Sequence, residues 1–140
     1  MVLAVMSPLA SASEPSAGSE DFAWQKKGPL EFLEMLRSHS LAPWEGPGFV
    51  VEGRHFGWVT IEDVPKLMGL LDSEEPCSGV VSVLSSWLPT EASTVGQEAL
   101  FLIEGFRSGF YPPRLASQRY SRSKEEVREW WRSYLSAHSS

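Results

Sequence analysis

Three helix starts constrain this chain more than any other feature it has. Ser123-Lys-Glu-Glu126 and Thr94-Val-Gly-Gln97 are capping boxes, and Thr60-Ile-Glu-Asp63 resembles one with Asp in the last place. In such a box a hydroxyl accepts from an orphan amide of the first turn, and the acidic or amide side chain reaches back to the cap. Acidic side chains there also meet the positive end of the helix dipole. Behind Ser123, the apolar residues Val127, Trp130, Trp131, Tyr134 and Leu135 recur at i, i+3, i+4, i+7 and i+8, one face of a helix. Behind Thr94, Val95, Ala99, Leu102, Ile103 and Phe106 do the same, with Gly96 and Gly105 inviting close backbone approach and Gly109 as the C-cap. Behind Thr60, the stripe is Ile61, Val64, Leu67, Met68 and Leu71, ending near Asp72, and Pro65 stands early enough to be tolerated.

Two further helices follow from the same spacing. Pro29 opens one whose apolar residues are Leu30, Phe32, Leu33, Met35 and Leu36, stopped by Pro43. Ser73-Glu-Glu-Pro76 is read as the start of another, with Cys77, Val80, Val81, Leu84, Trp87 and Leu88 on one face and Pro89 at its end. Its short connection to the helix before it makes the two antiparallel neighbours. Between the first two helices, residues 42 to 48 are dense in breakers and read as a loop. The β-branched and aromatic residues around Gly53 then suggest a small β-hairpin near residues 49–60.

The run Asp63-Val-Pro-Lys-Leu-Met-Gly-Leu-Leu71, the expected helix through Val80, Val81 and Leu84, and Gln97-Glu-Ala-Leu-Phe-Leu-Ile103 together resemble the helical hairpins of HEAT-like repeats, over about residues 60 to 108. The resemblance implies stacked antiparallel helices used as a protein-binding scaffold. The expected fold class is therefore mainly α: one compact antiparallel helical domain with HEAT-like packing and a small hairpin, over residues 22 to 138.

A chain of 140 residues, 42% of them hydrophobic, is long enough for one core and not two. Ahead of it, Met1 to Leu9 is an apolar run followed by Ala10-Ser11-Ala12, a small-x-small pattern suited to signal peptidase. Residues 1–12 read as a signal peptide, apparently truncated because it lacks a positive n-region. Residues 13–21, free of large apolar side chains, read as a flexible linker. The expected product is periplasmic or secreted, with no transmembrane segment, since spanning takes ~20 apolar residues. Its net charge of −6 argues against nucleic acid, whose phosphates demand a basic surface. Seven of its twelve basic residues nevertheless fall between Arg107 and Arg132.

No constellation advertises a cofactor or metal site. His39, His55 and His138 lie far apart, and the single Cys77 excludes any multi-cysteine zinc pattern. Serine chemistry lacks a G-x-S-x-G elbow. Glu98 and Glu104, six apart on one helix, do not share a face well; an inward Glu98 paired with a basic residue such as Arg107 is one reading, and surface solvation of Glu98 is the simpler account. Cys77, expected near a helix N-terminus, with His55 or His39 as base, leaves a small hydrolase or thiol enzyme as one alternative; against it stands the reading of a small core residue.

Binding has the better foothold. Gly109 to Tyr120 is stiffened by two adjacent prolines and carries Phe110, Tyr111, Arg114, Arg119 and Tyr120, residue types that dominate interface hot spots. The competing account makes these aromatics a lid over the core. The function expected is an exported, non-enzymatic protein-binding domain with a protein partner. An immunity or inhibitor role, in which a small acidic domain neutralises a basic partner, falls in this class. The other alternative is a structural envelope scaffold.

Overall fold

Residues 22–38, 48–87 and 89–138 are described in a computed structural model of the chain. Val95–Ser108 (α3) is the axis of the fold: from Val95 to Gly105 every residue except Gln97 is buried. A helix apolar on nearly all sides must be surrounded, and α3 is packed against Pro29–Ser38 (α1), Val64–Met68 (α2), the strand Phe110–Tyr111 and the short 3-10 turn Ser117–Arg119. Phe32, Leu36, Val51, Leu67, Leu71, Phe101, Leu102, Ile103 and Tyr111 fill the core between them. Phe22 joins this core, with its ring edge-on to Phe32 at 5.1 Å.

The expected helix starts at Thr60, Thr94 and Ser123 are all present. Thr94 Oγ1 accepts from Gln97 N at 3.1 Å, and Ser123 Oγ accepts from Glu125 N and Glu126 N. At Thr60 the acidic partner reaches back, Asp63 Oδ2 accepting from Thr60 N at 2.8 Å. A 3-10 turn, Ile61–Asp63, leads there into α2, which stops at Met68 in a series of turns. The last helix, Lys124–His138 (α4), buries only Val127 fully. Trp130 leans on Phe106 beneath Arg107, while Leu135 at the far end is 48% exposed.

The mainly α, HEAT-like expectation is corrected. The fold is mixed, with four α-helices and three two-stranded sheets among the described residues. The segment expected to be a helix from Ser73 forms two strands instead, Pro76–Cys77 and Val80–Ser82. Without that helix the expected antiparallel pairing with the helix before it is not formed. Val80 and Val81 are both buried, so this is a strand covered on both faces, and adjacent β-branched residues satisfy it better than a helical stripe. Ser78 and Gly79 interrupt the stretch between the two strands.

The hairpin near residues 49–60 is corrected too. Phe49–Val51 (β1) pairs in parallel with Val80–Ser82 (β4), Phe49 opposite Val80. His55–Phe56 (β2) pairs antiparallel with Phe110–Tyr111 (β6), His55 opposite Tyr111. Gly53 does turn the chain, at φ 74°, but the two arms diverge to different partners. Pro76–Cys77 (β3) lies against Ser93–Thr94 (β5), which leads directly into α3. The expected leader (1–12), linker (13–21), most of the loop at 42–48, and His39 fall outside the described residues.

Candidate functional site

Beyond α3, Gly109 at φ 90° turns the chain out of the helix and into β6. Pro112 and Pro113 are buried, and the backbone then runs back along β4, where Ser82 N donates to Leu115 O at 2.7 Å and Val81 bridges Ala116. Two neighbouring side chains of α3 strap this return segment in place. Gln97 Nε2 donates to Ser117 O at 2.7 Å and to Tyr120 O at 2.8 Å. Ser117 Oγ donates to Glu98 Oε2 at 2.5 Å and accepts from Val80 N at 2.9 Å.

The strapped segment forms one wall of a hollow of about 800 Å³, and residues 85 to 87 form part of the other. Ser85 Oγ fixes that second wall, accepting from Trp87 N at 3.1 Å and donating to Trp87 O at 2.9 Å. Arg119 lies over the Trp87 ring, 5.3 Å from its centroid. Tyr120 OH donates to Glu104 Oε1 at 2.7 Å and accepts from Arg122 Nε at 2.8 Å. Burial, and then this carboxylate, raise the Tyr120 phenol. Arg122 lies within 4 Å of both Glu104 and Glu126, so its charge is compensated. Arg114 and Leu115 form a ridge between this hollow and a second one of about 450 Å³ that reaches Arg54, Leu84 and the two prolines.

The structure brings Arg114, Arg119 and Tyr120 together in the first hollow and separates them from the other two residues singled out in sequence. Tyr111 is fully buried, with its ring against Phe101 and Phe32. Phe110 is half-buried on β6, covered by Arg54 and beside Phe56. In the sequence Trp87 falls on an apparent helix stripe, and Arg54, Leu84, Leu115 and Arg122 carry no local binding signal.

Glu98 is neither solvated nor paired with Arg107, which binds Glu104 instead. Both glutamates are buried because α3 is surrounded. Glu104 is neutralised by Arg107 at 3.4 Å and also accepts from Ser108 Oγ. Glu98 has no cation within ion-pair distance among the described residues, and burial pushes its carboxyl up to about 8, opposed by the hydroxyls of Ser117 and Ser93. Ser93 acts from outside hydrogen-bonding geometry: its Oγ, Glu98 Oε1 and Tyr111 OH are buried without partners.

Cys77 and His55, the alternative catalytic pair, stand on different sheets. Cys77 is fully buried on β3 opposite Ser93, and burial, followed by the charge of Glu98, pushes its thiol well up. A nucleophilic thiolate needs the opposite environment. The His55 ring stacks on Trp24 at 3.9 Å, with its pKa lowered by burial. We expect Cys77 of the folded protein to be inert to a thiol reagent that labels it fully in denaturant; rapid labelling under native conditions would restore the thiol-enzyme reading. His138 stacks on Tyr134 near the end of α4. Among the described residues no group of three or more His, Cys, Asp or Glu is placed to hold a metal ion, and no helix is long and apolar enough to cross a membrane.

The fold and hollow define a small mixed α and β domain with an arginine-lined concave face. Compared with protein-family models, curated proteins and solved structures, the chain finds no match.

Proposed function

We propose that the chain is an exported, non-enzymatic protein-binding domain that engages its partner through the face built by Ser85–Trp87 and Arg114–Arg122. The observation that carries this reading is the hollow of about 800 Å³, in which an aromatic side chain and exposed arginines from two distant parts of the chain converge on rigidly strapped backbone. Aromatic and arginine side chains at the centre of a concave site carry most of the free energy in protein interfaces. Ordering them in advance lowers what association must spend. An immunity or inhibitor role for an acidic domain would direct carboxylates at a basic partner, and this face presents the opposite charge. A purely structural envelope role calls for no concave arginine face at all.

The test is capture of partners from the native envelope with the wild-type domain, Trp87→Ala and Arg119→Ala side by side. Both side chains are at or near the surface, so the variants should fold. A specific partner should be recovered with wild type and reduced at least about tenfold with either variant. Equal recovery with all three would move the binding face elsewhere.

A further inference from the structure

The chain has eight arginines, all within the described residues. Arg37, Arg107, Arg122, Arg128 and Arg132 each have a carboxylate oxygen within 4 Å. Arg54, Arg114 and Arg119 have none among the described residues, and these three line the two adjoining hollows. In a chain of net charge −6, where carboxylates outnumber cations 18 to 12, these three arginines without a carboxylate partner meet on one face. Arg54 and Arg119 are also held in position, each over an aromatic ring. Arg114 is exposed on the ridge between them.

The apolar side chains of this face are as unusual as the charges. Leu84 is 79% exposed and Leu115 53%, and each lines one or both hollows. A surface that mixes forked cations with exposed leucines is complementary to a row of side chains that carries both carboxylates and apolar groups. Resting on the protein-binding reading above, we infer that the occupant of this face is an acidic, leucine- or phenylalanine-containing peptide segment of the partner, with its carboxylates on Arg54, Arg114 and Arg119.

Arginine rather than lysine favours this choice. Its planar fork meets a carboxylate through two parallel hydrogen bonds, and being weakly hydrated it loses less on desolvation. The concavity favours a peptide over a lipid surface, because anionic headgroups are met by protruding basic segments and membrane-inserting apolar faces, not by hollows. In an extended peptide every second side chain shares a face, so a row that carries both carboxylates and leucines can enter the hollows on either side of the Arg114 ridge.

The probe is a fluorescein-labelled synthetic peptide repeating Glu-Ser-Leu-Ser, which puts Glu and Leu on one face when extended, read by anisotropy against the full chain, with the Gln-for-Glu peptide, inorganic phosphate and phosphatidylserine vesicles as competitors. The Glu peptide should bind, and the Gln peptide should not compete. Each of Arg54→Ala, Arg114→Ala and Arg119→Ala should weaken binding about three- to tenfold, and the triple variant on the order of a hundredfold. Raising salt to about 0.5 M should release the peptide, as expected of exposed charges. Arg132→Ala, which removes a cation paired with Glu129 on α4, should change nothing.

Three results would overturn the inference. In the first, the Gln peptide binds as well as the Glu peptide. In the second, phosphate or vesicles displace it completely at matched charge, which would make the face a general anion or membrane surface. In the third, a natural partner depends on Trp87 and Leu115 but is indifferent to the three arginines and to salt, so that the protein-binding reading stands and its acidic occupant falls. A natural partner indifferent to all of these side chains defeats both.

Discussion

Gly96→Ala is expected to destabilise the domain by at least about 3 kcal/mol, an overpacking cost at the upper end of its usual range. A Cβ on Gly96 would meet the carbonyl oxygen of Leu71, and would also lie 2.7 Å from that of Ser73. Both are backbone atoms, so no side chain can swing away to make room. The same glycine donates its N–H to Ser73 O at 3.0 Å, which pins the first turn of α3 against the turns after α2. Relieving the clash would pull α3, the axis of the core, away from Leu67 and Leu71. Thermal unfolding should show a midpoint lowered by roughly 10 to 20 °C for a domain of this size. Gly69→Ala is the control. Its φ of −69° suits any residue, and its Cβ would meet only Lys66 O and Pro65 O, no nearer than 3.5 Å. The control should be neutral or slightly stabilising through reduced freedom of the unfolded chain. Equal stability of Gly96→Ala and wild type would mean that α3 does not approach the 71–73 turn as described.

The difference between those two glycines shows which parts of the fold could be read from the chain. Helix starts are local. A hydroxyl and a carboxyl or amide three residues apart act on the same turn, so Thr60, Thr94 and Ser123 were legible without knowing what surrounds them. Gly96 was also legible as a site of close approach. The strands were not, because each is two or three residues long and finds its partner far away, Phe49 with Val80, His55 with Tyr111 and Cys77 with Ser93. Over so few residues, Cys77, Val80, Val81 and Leu84 fit a helical stripe as well as a buried strand, and only tertiary pairing decides. The candidate site divides in the same way. Arg114, Arg119 and Tyr120 belong to one segment and were singled out together. Trp87 and Arg54 reach the same face only because β4 lies between β1 and the return segment at Leu115–Ala116. Gln97 was read as a cap residue, yet its side chain serves as the strap on Ser117 and Tyr120.

Glu98 carries the second large expectation, a stability that falls as pH rises through the neutral range. Its carboxyl titrates near 4.5 when solvated and is pushed up to about 8 in the fold by burial. Below pH 4.5 both states hold the proton, and Glu98 contributes no pH dependence. Between 4.5 and 8 the folded state keeps the proton while the unfolded state releases it, so unfolding is favoured progressively. The slope is about 1.4 kcal/mol per pH unit. Above 8 the folded carboxyl ionises as well, and the penalty, a few kcal/mol in all, stays constant. Exposed carboxylates paired with arginine, such as Asp72 with Arg128, shift the other way and blur the wild-type curve. The comparison with Glu98→Gln removes that background. Glutamine keeps the shape and an acceptor for Ser117 Oγ, and its amide can donate to the unpartnered Ser93 Oγ. The variant should match wild type within about 1 kcal/mol near pH 5. It should exceed wild type by a few kcal/mol near pH 8, measured by urea unfolding at each pH. Parallel curves for the two proteins would mean that Glu98 is hydrated in solution.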